Sequence, residues 1–166
     1  MRDAIYQRRS IRRFTGEAVP DEMVNAVLDA GRWAPSGLNN QPWRFAVVRD
    51  RAVKEMLASL TRYGSIIRSA DVVVAVFFDE AAGYDRTKDL QSIGACIQNM
   101  LLAVHDLGLG GVWLGEILKN SAQVKALLKA PDSYEFMAAV AVGHPEGKSP
   151  GPPERKALAD LVFFRE

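Results

Sequence analysis

Four stretches of the chain repeat apolar residues at helical spacing. In PDEMVNAVLDAG, residues 20–31, Met23, Val24, Val27 and Leu28 fall on one face; Pro20 and two acids open the helix and Gly31 closes it. After Asp50, the residues Val53, Met56, Leu57 and Leu60 repeat the pattern. The longest stretch, residues 85–107, lines up Leu90, Ile93, Ile97, Met100, Leu101, Val104 and Leu107, flanked by the small residues Gly94, Ala95 and Ala103. So wide an apolar arc needs cover on more than one side, which makes this helix central in the fold or central in a dimer. The fourth predicted helix takes Ser121 as N-cap, turns Val124, Leu127 and Leu128 inward and stops at Pro131.

Residues 43–48, 72–78 and 136–142 read as strands, with a short fourth over 111–114. The run VVVAVFF is β-branched and aromatic with no polar position, as expected of a strand buried on both faces. Strands and helices interleave, so the pattern predicts an α/β or α+β layer architecture around one core. Residues 143–156, GHPEGKSPGPPERK, read as an extended connection. Beyond it, Leu158, Leu161 and Val162 suggest a tail that docks on something.

The length of 166 residues suits a single domain. Lys and Arg total 21 against 20 Asp and Glu, a net charge of +1, which argues against a nucleic-acid partner. The arginines of RRSIRRF, residues 8–14, are therefore a local cluster, better suited to a small anion than to a polymer. A lone Cys96 excludes an internal disulfide and fits a reducing compartment. MRDAIYQRRS lacks the apolar run of a signal peptide, and residues 72–78 are too few to span a bilayer. The expectation is a cytoplasmic protein with no membrane partner.

Conventional catalytic groups are scarce. His105 and His144 lack metal-ligand spacing and read as structural or solvated. Ser36 lacks the G-x-S-x-G elbow, and Cys96, mid-helix among apolar neighbours, reads as an inert buried thiol. The glycines of LGLGGVWLGE, residues 107–116, follow a helix rather than a strand, so no dinucleotide fingerprint exists. Gly108 reads as a helix C-cap, and Gly110, Gly111 and Gly115 as points where backbone approaches a flat or bulky ligand. RRSIRRF offers forked cations and a hydroxyl for a phosphate, or else a solvated helix end. APSGLNNQPWRF offers amides for a heteroaromatic edge, or else ordinary turn chemistry.

Arg8-Arg9-Ser10 with Arg12, then Ala34-Pro35-Ser36 with Asn39, Gln41, Pro42 and Trp43, together resemble the nitroreductase family of FMN-dependent enzymes. IGACIQNMLLAVHDLGLGGVWLGEI, residues 93–117, resembles that family's central helix and following glycine segment. VAVGHPEG and PPERKALADLVFF resemble its last core strand and C-terminal basic element. The resemblance implies one nitroreductase-like FMN-binding domain over residues 1–166, an α+β sandwich with a mostly antiparallel sheet flanked by helices. It implies an intertwined homodimer with FMN at each subunit interface. By position, Arg8, Arg9 and Ser10 would contact the phosphate and ribityl chain, and Arg12 the pyrimidine end of the ring, where the family often has lysine. Asn39 would bond the ring edge, with Pro35, Ser36 and Gln41 in the same loop and Ser36 reaching the other subunit's flavin. Leu114 and Gly115 would approach N5, and Arg155 and Lys156 would close on the phosphate.

The implied activity is transfer of a hydride from NADH or NADPH through flavin N5 to a nitroaromatic, quinone or similar conjugated acceptor, by a ping-pong mechanism. No catalytic side chain and no metal are needed, because the cofactor supplies the chemistry and the protein supplies stacking, orientation and charge. Alternatives on the same fold are dehydrogenation, dehalogenation, flavin fragmentation, or FMN binding without turnover. Only residues 79–88 separate the second strand from the long helix, so the site is compact and lacks a long covering insertion.

Overall fold

The valine run becomes the second strand of a four-stranded antiparallel sheet in the computed structural model, which describes residues 2–147, 150–151 and 154–166. Pro152 and Pro153 of the C-terminal motif, with Lys148 and Ser149 before them, lie outside the described residues. The strands are β1 (Trp43–Val48), β2 (Val72–Asp79), β3 (Gly110–Leu114) and β4 (Tyr134–Gly143), in the order β1-β2-β4-β3. The predicted strands are present, each within two residues of its expected limits, and the short fourth one is real.

All eight residues of β2 are buried. Val72, Val74, Val76 and Phe78 point into a core shared with the long helix, whereas Val73, Ala75 and Phe77 point into a second core on the other face. Each fully buried side chain of this size stabilises by about 1.5–3 kcal/mol. Between the pairs Val76–Ala138 and Phe77–Phe136 the register shifts, leaving Met137 as an extra residue on β4. The bulge turns Phe136 to the second core, where its ring lies 5.5 Å from that of Phe77.

Helices cover both faces: α1 (Arg2–Gln7), α2 (Asp21–Arg32), α3 (Arg51–Ser59), α4 (Gly64–Ser69), α5 (Arg86–Asp106) and α6 (Ser121–Leu127). In α5 the buried side includes Ile93, Ile97, Met100, Leu101 and Val104, as the spacing predicts, together with Cys96. Burial pushes the Cys96 thiol pKa up to about 12, which agrees with an inert thiol. Asp85 caps α5 by accepting from the Lys88 N–H at 3.0 Å. At its other end, Gly108 N–H donates to His105 O and Leu109 N–H to Val104 O, with Gly108 at φ 73°: a Schellman cap.

Local expectations change in three places. Gly31 does not end α2 but sits inside it, where a Cβ would lie 2.8 Å from Met100 Cγ. Ser121 is the first residue of α6 rather than its cap, because a 3-10 turn over Glu116–Asn120 runs straight into the helix. Met56 faces outward, 54% exposed, while Leu57 beside it is buried. Among the described residues no helix is long and apolar enough to cross a membrane.

Candidate functional site

The basic run is stitched to the sheet. Ser10 forms a parallel bridge with Gly111, and Ile11 N–H donates to Gly111 O at 3.0 Å. Farther on, Phe14 bridges Pro145, Thr15 N–H donates to His144 O at 3.0 Å, and Glu146 N–H to Arg13 O at 2.9 Å. The segment thus spans the start of β3 and the end of β4. A Cβ on Gly110 would lie 2.8 Å from Ile11 Cγ2, so this glycine admits the chain's own basic segment rather than a ligand. Gly111 is likewise filled, by Val104 at 3.0 Å.

The arginines have distinct surroundings. Arg8 is half-buried, and its Nε is buried with no hydrogen-bond partner among the described residues. An interior guanidinium N–H without an acceptor is costly. The adjoining cavity, about 190 Å³, is lined in part by Arg8, Arg9, Ile11, His105, Gly108 and Gly147. Arg9 donates from Nη1 to Tyr6 O (2.8 Å) and Arg8 O (2.9 Å), and from Nε to Gly151 O (3.1 Å). Arg12 is exposed and, among the described residues, reaches only Ser10 O, at 3.3 Å. Arg13, outside the expected site, is 79% exposed yet pairs with Glu146 at 2.9 Å. His105, read from sequence as structural or solvated, lines the Arg8 cavity; its place near the end of α5 beside Gly108 was the available signal.

β3 delivers Leu114, which is buried, and then Gly115, whose missing Cβ would meet nothing within 4 Å. The turn that follows is clamped. Glu116 accepts from Thr61 Oγ1 at 2.6 Å and from the Arg62 N–H at 3.2 Å, and pairs with Lys119. Lys119 and then Thr61 hold its carboxyl pKa down at about 2. Asn120 Nδ2 adds a bond to Leu60 O at 2.7 Å.

The loop before β1 holds three non-glycine residues at positive φ: Leu38 at 55°, Asn39 at 55° and Gln41 at 47°. The left-handed region costs leucine about 1–2 kcal/mol, whereas asparagine tolerates it. Ser36 Oγ accepts from the Gln41 N–H at 3.0 Å, and Gln41 Nε2 donates to Asn39 O at 3.1 Å. Those two side chains therefore do hold the turn, while Asn39 is exposed with no side-chain hydrogen bond among the described residues. Asn40 turns inward and donates to Ala82 O (2.9 Å) and to the buried carboxylate of Asp89 (2.8 Å). Asp89 also accepts from the N–H groups of Tyr84 and Asp85. Burial raises the Asp89 pKa, but the Asn40 bond and these two N–H groups more than offset it, leaving the carboxyl below its usual range. Pro35 and Ser36 line a cavity of about 280 Å³ with Tyr84, Lys88, Gln91 and Ser92.

Of the predicted residues, Arg8 and Arg9 line one cavity and Pro35 and Ser36 another, and these two groups meet α5 near His105 and near Ser92, whereas Leu114 and Gly115 line neither cavity. About 20 Å of helix separates the two groups. Arg155 and Lys156 join neither group. They lie in residues 154–166, exposed throughout, and among the described residues Arg155 Nη1 donates only to Glu154 O. The tail expected to dock is exposed in its own chain, Phe163 and Phe164 included.

The family model described as nitroreductase family matches residues 5–63 and 58–144. A crystal structure described as "a putative nitroreductase in complex with fmn" from Desulfovibrio desulfuricans is 51% identical with a TM-score of 0.93, covering 99% of this chain and 95% of that one. The "Putative NADH dehydrogenase/NAD(P)H nitroreductase" of Methanothermobacter thermautotrophicus is 33% identical over 151 residues, 90% of this chain and 78% of the relative. The NADPH:FMN oxidoreductase of Vibrio harveyi, solved in complex with NAD+, is 25% identical with a TM-score of 0.89, over 99% of this chain and 76% of that one. The basic segment, the clamped glycine turn and the amide loop fall within the length these matches cover, and the chain belongs to the nitroreductase family.

Proposed function

We propose that the chain is an FMN-dependent NAD(P)H oxidoreductase that reduces a nitroaromatic, quinone or similar conjugated acceptor. The observation that carries the reading is the buried Nε of Arg8 beside a cavity, without a partner among the described residues, because an interior N–H of a cation calls for an anionic acceptor. A phosphate suits that donor set. Arg8 and Arg9 would hold it, with the Ser10 hydroxyl beside them and Arg155 and Lys156 closing from the C-terminal segment. The Arg9–Gly151 bond already draws that segment alongside.

When bound, FMN supplies a two-electron redox centre. The chain's own part is electrostatic and positional. Arg12, exposed and among the described residues bonded only to Ser10 O, carries a cation that would stabilise negative charge at the pyrimidine end of the ring. Gly115, where an added Cβ would meet nothing within 4 Å, leaves the backbone after buried Leu114 open, so that this segment would lie near N5 of the ring. Donor and acceptor would occupy the same open site in turn, giving ping-pong turnover.

Residues 1–166 act as one domain, and a homodimer completes the site. Pro35, Ser36, Asn39 and Gln41 reach the flavin held by the Arg8 wall of a second copy. The distance along α5 between the two groups supports this, as do the exposed apolar side chains Tyr6, Trp33, Phe163 and Phe164. The purified protein is expected to be yellow, with a flavin spectrum that bleaches on anaerobic addition of NADH or NADPH. Colourless protein that FMN cannot reconstitute overturns the reading.

A further inference from the structure

We infer that Asp89 is a positioning residue for the loop that carries Ser36 and Asn39, acting through Asn40. The inference rests on the reading above that this loop meets a flavin. Asp89 lies one turn before Ile93 on the inner side of α5 and is fully buried, a rare location for a carboxylate. Its two oxygens have separate tasks. Oδ2 accepts from the N–H groups of Tyr84 (2.8 Å) and Asp85 (3.0 Å), fixing the chain as it enters α5. Oδ1 accepts from Asn40 Nδ2, at 2.8 Å.

Capping does not explain this carboxylate, because Asp85 already caps α5. The Asn40 amide is oriented by its partners: Nδ2 faces two acceptors, Asp89 and Ala82 O, while Oδ1 is buried without a partner among the described residues. An orphaned buried oxygen is tolerated where the nitrogen must point a fixed way. Asn40 itself is right-handed, with φ −72° and ψ −17°, yet Leu38, Asn39 and Gln41 around it are left-handed. Leu38 is 84% exposed, so packing within the chain does not hold that conformation. The inward tie sits in the middle of the strained span and keeps Asn39 facing out.

The test compares flavin-loaded wild-type protein with Asp89→Asn and, as control, Asp71→Asn. Asparagine at 89 keeps an acceptor for Tyr84 and Asp85 but turns an N–H group toward the Asn40 N–H. Asp71 is another partly buried anchor, bonded to Arg49 and to the Val19 N–H at 3.0 Å, on a different part of the fold. Flavin dissociation is read by fluorescence, the environment of the bound ring by visible circular dichroism, and stability by thermal melting. Asp89→Asn is expected to weaken FMN binding about tenfold and to alter the visible spectrum. Asp71→Asn should lower the melting temperature and leave both flavin signals unchanged. Adding Asn40→Ala to Asp89→Asn should change the flavin signals little further, since both cut one link. Wild-type flavin affinity and spectrum in Asp89→Asn overturn the inference, and so does an equal flavin effect from Asp71→Asn. Wild-type protein that takes up no flavin overturns the oxidoreductase reading itself, and this role with it.

Discussion

Thr61 donates its hydroxyl hydrogen to Glu116 at 2.6 Å, joining the segment before α4 to the turn that follows Gly115. The clamp gives the turn a stability that depends on pH. A carboxyl of ordinary value 4.5 in the unfolded chain and about 2 in the folded one adds stability above about pH 4.5. That contribution drains away as pH falls from 4.5 through 2. Glu116→Gln should lower the urea midpoint at pH 7 and flatten its decline between pH 4.5 and 2. Glu55 and Glu135, held low by Arg68 and Arg86, keep a residual slope. An unchanged slope in Glu116→Gln contradicts the clamp.

Arg8 and Arg12 should separate in function. Losing a charge-assisted hydrogen bond costs about 1.5–3 kcal/mol. Arg8→Ala should therefore raise the FMN dissociation constant about ten- to hundredfold and spare the reduction rate of protein kept saturated with FMN. Arg12→Ala should slow anaerobic reduction by NADH or NADPH about tenfold or more while retaining FMN. Stopped-flow absorbance and fluorescence titration measure the two quantities, and equal effects from both variants would refute the division.

Gly110→Ala should be destabilising, by about 1–3 kcal/mol in urea unfolding. The new methyl would meet the Cγ2 and Cβ of Ile11 at 2.8 and 2.9 Å, so the basic segment must move. Ile11→Ala in the same chain should recover part of the loss, giving a non-zero coupling in the double-mutant cycle.

Met100→Ala and Met56→Ala test the helix faces. Met100 is fully buried beside Gly31, and its truncation should cost about 2–5 kcal/mol. Met56 is exposed, and its truncation should stay within about 0.5 kcal/mol. Comparable losses would place α3 wrongly.

The proposed homodimer yields a measurement of its own. Replacing both Phe163 and Phe164 with Ala should weaken self-association seen in sedimentation velocity, and with it FMN retention. A monomeric wild-type protein that holds FMN fully would remove the second copy from the site.

The strands and α5 were legible because their periodicity is long and unbroken: VVVAVFF has no polar residue, and Ile93, Ile97, Met100 and Val104 keep a strict turn spacing. α1 and α4 went unpredicted, since six residues carry too little periodic signal. The stop at Gly31 and the ligand role for Gly110 failed for one reason. Both glycines make room for a distant side chain, Met100 or Ile11, which local sequence does not display. The arginine cluster stood out in the sequence by its chemistry, whereas the separate surroundings of Arg8, Arg9 and Arg12 are set by the fold. Asp89 was overlooked, although a carboxylate one turn from Ile93 on an apolar face is itself a signal.

β2 sends alternate side chains into two separate cores. One strand therefore enforces a single melting event: loosening the face against α5 drags on the face against α3 and α4, and the reverse. Backbone amides of Val73 to Phe77 should exchange with deuterium only through global opening, slower than those of α6 or the tail. The edge that carries the basic segment and the loop that carries Asn39 hang from opposite sides of this sheet, so ligand binding at either would be felt as protection in the same central strand.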